Sequence, residues 1–316
     1  MALVTNVGSN QKLHHYVPQV YLRGFSKGPR KKEQIGVVNV SDGRHFTRNI
    51  RRVAARMYFN SIEGDDPLAV ENWLGRIETD AKEVIDAIAC ESDRLTSDDR
   101  HALSDFIALQ AFRGPSVRRD ATRVVRDAFQ RLNDYAKQTV VTRDSLAALG
   151  FDPNRFDVDA INEKGRAGQD YFTSDIDLSQ DDQVTLMVTT ARSVLPYIME
   201  TPWRIIHFRE QTLLTSDAPV TNIPTGDWLV RPHGRAASLQ TLVFPLTRKC
   251  ALTIPPPDVC GSGAKAQAMK TTAPSGRLDI HVIGDDTEAN FINDVTKNGA
   301  DEYVYFHPDD AHLVGL

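Results

Sequence analysis

From Val70 onward, Val70, Trp73, Leu74, Ile77, Ala81, Val84, Ile85 and Ile88 recur at steps of three and four. Only an α-helix gathers that period into one buried stripe. A helix of this length with one apolar face needs a partner to cover it, so the chain must build a layered core. Pro67 stands just ahead, where a first turn tolerates it. A second helix is predicted from Thr96 or Ser97, with Asp98 and Asp99 at the positive end of its dipole, running to Arg113. Gly114-Pro115 breaks or kinks it, and Ser116 can cap a third helix reaching about Lys137. A fourth follows Ser179, whose spacing to Asp182 suits a capping box. Val184, Met187, Val188, Ala191, Leu195 and Ile198 form its stripe, and Pro196 bends its last turn.

Residues 139–180 are rich in Asp, Asn, Gly and Ser and read as loops with fragments of helix, an insertion or lid. After Pro202 the pattern turns to strands, at 203–208, 213–216, 239–246, 250–254 and 278–283, with a short one at 303–306 after a helix around 287–297. Residues 255–276, rich in Pro, Gly, Ala, Ser and Thr, read as a loop. Near the amino terminus, residues 34–40 and 45–50 flank the turn Ser41-Asp42-Gly43 and form a hairpin. The expected fold is α+β: a helical middle region of three to four long helices packs with a mixed, mostly antiparallel sheet from the carboxy-terminal third, joined by the amino-terminal hairpin. We expect a single domain with lobes over residues 1–316, comprising a signature segment and basic hairpin (13–60), a helical region (66–200) and a sheet region (203–316).

The most distinctive run is His14-His15-Tyr16-Val17-Pro18-Gln19-Val20-Tyr21-Leu22-Arg23-Gly24-Phe25. Two adjacent imidazoles invite a metal. However, Pro18 favours an extended Val17, and in a strand His14 and His15 point to opposite faces, so a regular strand does not deliver both to one ion. No HExxH or HxH spacing supports such a site, and the metal set is left empty, with a divalent ion kept only as a lesser cofactor option.

This run resembles the signature of a large, mainly bacterial family, domain-of-unknown-function family 4238. The helix end Phe106-Ile107-Ala108-Leu109-Gln110-Ala111-Phe112-Arg113, the strand end Leu214-Thr215-Ser216-Asp217-Ala218-Pro219-Val220, and Phe244-Pro245-Leu246 resemble further blocks of it. Together these span most of the chain. The resemblance implies which positions matter; it carries no chemistry with it.

Within the second helix Leu103, Phe106, Gln110 and Arg113 share one face, which puts an amide and a guanidinium beside apolar residues. An arginine entering the interior requires an acceptor, because an unpaired buried charge costs several kcal/mol. Asp217 is the expected partner, at a strand end that breaks into a turn. Ser216 and Asp217 also suit a simple turn cap before Pro219. Glu78, one step off the first helix's stripe, is expected to face solvent.

The net charge of −5 hides a local excess. Arg23, Lys27, Arg30, Lys31, Lys32, Arg44, Arg48, Arg51, Arg52 and Arg56 face only Glu33 and Asp42, so this stretch carries +8 and the rest −13. Such a band suits phosphates, although charge runs often do no more than solvate a face. The residues contain 41% hydrophobic and 25% charged side chains and no apolar run of membrane-spanning length, so a cytoplasmic location with no membrane partner is expected. Cys90, Cys250 and Cys260 lack CxxC spacing and read as thiols, with a Cys250 to Cys260 bridge as the lesser alternative. No GxSxG, Walker A or GxGxxG context is present.

Two functions remain. In one, the chain is a binding or regulatory module recognising a phosphate-bearing ligand. In the other it is a phosphodiesterase-like hydrolase acting on nucleic acid or a nucleotide, with His14, His15, Arg113 and Asp217 catalytic and Tyr16, Gln110, Ser216, Arg51 and Arg52 binding the ligand. Turnover requires a histidine, Arg113 and Asp217 at one cleft open to water; a sealed network argues for the module.

Overall fold

The computed structural model describes residues 12–91, 95–148, 151–173, 177–223, 241–256 and 261–315. Its strands are β1 (Leu13–His15), β2 (Gln34–Asn39), β3 (His45–Asn49), β4 (Ala55–Met57), β5 (Arg204–His207), β6 (Thr215–Ser216), β7 (Thr221–Asn222), β8 (Leu242–Thr247), β9 (Cys250–Ile254), β10 (Ile280–Ile283) and β11 (Tyr303–Phe306). The helices are α1 (Gln19–Leu22), α2 (Ala69–Ala89), α3 (Ser97–Phe112), α4 (Pro115–Gln138), α5 (Arg143–Ala148), α6 (Val158–Arg166), α7 (Gln180–Glu200), α8 (Ala264–Thr272) and α9 (Asp286–Gly299). The fold is α+β. Residues 1–116 with 180–316 form one compact unit, and residues 117–179 form another.

In the first unit, α2 and α7 pack on α3. The predicted stripe of α2 is buried at Leu74, Ala81, Val84, Ile85 and Ile88. Helix α3 starts as its caps dictate: the Thr96 hydroxyl accepts from the Asp99 N–H at 3.1 Å, and the Asp99 carboxylate accepts from the Thr96 N–H at 2.8 Å. α3 also buries an arginine that the apolar spacing did not single out. Arg100 is fully enclosed. Its Nη1 donates to both Asp279 oxygens at 2.5 Å, and its Nη2 to the carbonyls of Met199 (3.1 Å) and Thr201 (3.0 Å).

A five-stranded sheet runs β10-β5-β9-β8-β7, with β10 and β5 parallel and the other pairs antiparallel. Pro245 sits inside this sheet beside a shift in the β8/β9 register, the kind of irregularity that accommodates a residue with no N–H to donate. The amino-terminal hairpin joins other strands of the carboxy-terminal third, pairing with β11. There β3-β2-β11-β6 form a second, antiparallel sheet, and the hairpin has apolar residues on both faces. Ile35, Val37 and Tyr305 enter the main core, while Val38, Val304, Phe306 and Leu214 form a second cluster. Gly36 faces Phe306 across this pairing, and the phenyl ring occupies the space a β-carbon would need.

The strand expected at 213–216 is reduced to Thr215–Ser216. The Asn293 side chain takes over the flanking backbone, accepting from the Leu214 N–H at 2.8 Å and donating to the Thr212 carbonyl at 3.0 Å. The loop expected at 255–276 contains α8 and the 3-10 turn Ala273–Ser275. Its alanines, lysines and Met269 are helix formers, and the glycines that suggested a loop stand at the ends. Residues 239–240 of the expected β8 and Cys260 lie outside the described residues. Cys250 is a free buried thiol, pushed up to about 12 by burial and by Glu91; Cys90 is free and exposed.

The second unit is a small helical body. Phe129 stacks on Phe172 at 4.1 Å and on Phe151 at 5.5 Å, over a core of Leu132, Ala136, Val141, Leu146 and Ile161. Among the described residues no helix is long and apolar enough to cross a membrane.

Candidate functional site

β1 pairs antiparallel with β4, and this pairing sends the two signature histidines to different places. His14 is buried: the Asn60 N–H donates to its Nδ1 at 3.0 Å, so that nitrogen carries no proton. The Asn60 side-chain amide donates to Glu71 Oε2 at 2.8 Å, and the same oxygen lies 3.7 Å from His14 Nδ1. Glu71 and Glu78, two turns apart on α2, both face Arg113. Arg113 donates to Glu78 Oε1 at 2.5 Å and stands 3.9 Å from Glu71 Oε2. As the C-cap residue of α3, it also sits at the negative end of the helix dipole. Burial raises the Glu78 pKa, and Arg113 draws it down.

Two expectations are thereby corrected. Asp217 is not the partner of Arg113, and Glu78 does not face solvent. Asp217 is buried elsewhere and binds main chain. Its carboxylate accepts the backbone N–H groups of Asp301 (2.8 Å), Glu302 (2.8 Å) and Tyr303 (3.0 Å), fastening the start of β11. Burial pushes it up to about 6, with the neighbouring Asp301 adding to the rise and the three N–H bonds opposing it. Ser216 is likewise internal, its Oγ accepting from the Ala218 N–H at 3.2 Å, so it caps the turn.

Tyr16 and Gln110 also work inside. Gln110 Nε2 donates to the Tyr16 carbonyl at 2.9 Å, and the Tyr16 phenol meets that of Tyr305. Burial pushes both phenols up. Tyr21 donates to the Pro245 carbonyl at 2.6 Å. A phenol has a single proton to give, so the Thr215 hydroxyl 2.6 Å away donates to it. The signature run therefore ties β8 and β6 to one buried ring. His15 is held at Nδ1 by the Gln19 amide at 3.5 Å, and burial together with the Arg113 charge lowers its pKa to about 4. Among the described residues no three His, Cys, Asp or Glu side chains are grouped to hold a metal.

Eight of the ten basic residues of the band fall into two sets. Arg23 pairs with Glu33, Lys27 with Asp309, Arg44 with Asp42 and Arg56 with Glu302. Lys31, Arg48, Arg51 and Arg52 instead converge with Gln34, Thr47 and Asn49 on an open groove of about 460 Å³. Among the described residues that line it there is no carboxylate. One side chain organises much of it: Asn49 Oδ1 accepts from the Arg51 N–H at 3.0 Å, and Asn49 Nδ2 donates to the Lys31 carbonyl at 3.2 Å. Lys31 adopts the left-handed region (φ 74), with its N–H donating to Glu33 at 2.8 Å.

Of the residues named from the sequence, His14, His15 and Arg113 belong to one neighbourhood, Asp217 and Ser216 to a turn, and Arg51 and Arg52 to the groove. The sequence reading held Lys31 and Arg48 within the basic band without singling them out, and it missed Asn60, Glu71 and Asn49. Only Glu71 carried a signal, its seven-residue spacing to Glu78 on a helix already recognised.

No curated protein and no solved structure matches this chain. A family model described as "Protein of unknown function (DUF4238)" matches residues 13–310, and the chain belongs to that family.

Proposed function

We propose that the protein is a binding module that captures a phosphate-bearing ligand, nucleic acid or a nucleotide, in the groove of Lys31, Arg48, Arg51 and Arg52. The observation that carries this reading is the set of four cations lining one open groove without a carboxylate. Arg23, Lys27, Arg44 and Arg56 of the same band each meet an acid; here the positive potential is left to attract anions, and arginine forks suit phosphate oxygens. The signature network supports the fold around this surface. The hydrolase alternative requires its histidine, Arg113 and Asp217 at one wet cleft. His14 is 1% exposed, Arg113 2% and Asp217 2%, and each is engaged by protein groups, which favours a structural role for them.

The test is fluorescence anisotropy with a labelled twenty-nucleotide single-stranded RNA and its DNA counterpart, titrated at several salt concentrations. Binding that weakens steeply with salt, and is lost in Arg51→Ala/Arg52→Ala, is expected. Wild-type protein that binds neither strand, and is not stabilised by nucleoside triphosphates in thermal shift, would remove the proposal.

A further inference from the structure

We infer that His15 is a positioning residue for the groove: its imidazole braces the 3-10 turn Ile50–Arg52 that presents Arg51 and Arg52. The inference rests on reading the groove as an anion site, and it gives the second signature histidine a role distinct from that of the first.

The tautomer follows from its neighbours. A glutamine amide nitrogen only donates, so with Gln19 Nε2 at 3.5 Å, His15 Nδ1 accepts and the ring proton sits on Nε2. That Nε2 is buried without a well-aligned partner of its own, and the backbone of Arg51 and Ile50 lies against the ring. The imidazole therefore fills the space behind the turn with its one donor turned toward main chain. From the turn outward, Ile50 is fully buried while Arg51 and Arg52 are exposed, so the main chain of the turn separates the histidine from the groove.

The residue that leaves this turn is held in a strained conformation. Ala54 adopts the left-handed region (φ 50), which a residue with a β-carbon avoids at a cost of about 1–2 kcal/mol. It is kept there by the signature itself. The Ala54 carbonyl accepts from the Tyr16 N–H at 2.8 Å and from the Val17 N–H at 3.4 Å, and Ala55 pairs with His15 in the β1/β4 register. The strand that carries His15 thus grips the chain just beyond Arg52, while the His15 ring supports it from inside. On the other side, Asn49 caps the turn and the Ile50 N–H donates to the Glu33 carbonyl at 3.2 Å. Arg113 and Glu71 are the charged groups that act on the ring. His15 is neutral near pH 7, so it serves as a shaped donor and not as a proton carrier.

The experiment combines two readouts on the full chain: affinity for the labelled twenty-nucleotide RNA, and hydrogen exchange at the amides of residues 50–52. In His15→Asn, RNA binding should weaken about fivefold, corresponding to a coupling near 1 kcal/mol. Exchange at residues 50–52 should accelerate while α2 and α3 stay protected. The loss should be non-additive with Arg51→Ala, which the turn presents, and additive with Lys31→Ala, which it does not. Unchanged exchange at 50–52, or a loss additive with Arg51→Ala, would overturn the inference. Should wild type bind no RNA, the groove reading fails by itself, and the exchange readout still decides whether His15 braces the turn. If His15→Asn does not fold, Gln19→Ala, which frees the half-buried Nδ1 contact, should show the same pattern at reduced size; wild-type exchange and affinity in that variant would equally overturn the inference.

Discussion

Arg100 lies over the indole of Trp203, its guanidinium carbon 3.9 Å from the ring centroid, while Asp279 accepts both from that guanidinium and from the Trp203 backbone N–H at 2.9 Å. One buried cation thereby joins α3, the end of α7 and the entry to β10, with Asp279 supplying the compensating charge. Replacing one partner leaves the other charge enclosed. Arg100→Ala is expected to destabilise by about 3–5 kcal/mol, measured by chemical denaturation, with RNA affinity of the surviving folded fraction unchanged.

Arg113 should behave in the same way and not as a catalytic residue. Arg113→Ala strands Glu78 and Glu71 against one another and is expected to cost about 3 kcal/mol, read as a lower melting temperature. Groove binding should remain within about twofold, a change of a few tenths of a kcal/mol. Abolished binding by a variant that is still folded would contradict this assignment.

Salt dependence reads the groove directly. Single-stranded nucleic acid releases about 0.7 counterion per neutralised phosphate, so four cations predict a slope of roughly −3 in log affinity against log salt. Arg51→Ala and Arg52→Ala should each reduce its magnitude by about 0.7. A slope indifferent to both would place the contact elsewhere.

Two buried groups make the stability of this protein respond to pH in opposite senses. The His15 pKa is lowered to about 4 from an ordinary 6.5, so between those values the unfolded chain binds the extra proton and stability rises with pH. Asp217 is raised to about 6 from 3.8, so between those values the folded chain holds the extra proton and stability falls as pH rises. Relative to wild type, His15→Asn should make the stability curve between pH 4 and 6 fall more steeply, and Asp217→Asn should make it climb more steeply. Denaturant midpoints across that window check both signs.

Gly36→Ala should be poorly tolerated, since the new methyl meets the Phe306 ring. A loss of about 1–3 kcal/mol is expected, with recovery in the double variant Gly36→Ala/Phe306→Leu.

The helices could be read from the chain because their signals are local: the stripe of α2 and the Thr96 to Asp99 cap each lie within a few turns. What the sequence reading lost was pairing at a distance. Asp217 next to Pro219 advertises a carboxylate and says nothing of whether it will meet a guanidinium or three amides from residues 301–303. Glu78 looked solvated because one step off an apolar stripe is exposed only if no second helix covers it, and α3 brings Arg113 there. The groove was half legible: counting charges found the band, but only the fold separates Arg23 and Arg56, which find acids, from Arg51 and Arg52. Asn49, which shapes the groove through backbone contacts, has no compositional mark at all.

Apart from β2, strand β3 has no further strand beside it among the described residues. It is the outer strand of the β3-β2-β11-β6 sheet, its residues 45–48 are exposed, and Arg48 lies over the ring of Phe46. An outer strand of this kind offers unpaired amides and carbonyls to any other chain, and like charges are what keep two such edges apart. Arg48, one of the groove cations proposed to receive a polyanion, is therefore also a charge set on this edge against strand-to-strand pairing. On the proposed function, ligand binding and edge protection would share Arg48, because a polyanion neutralising it would weaken the like-charge repulsion between two such edges.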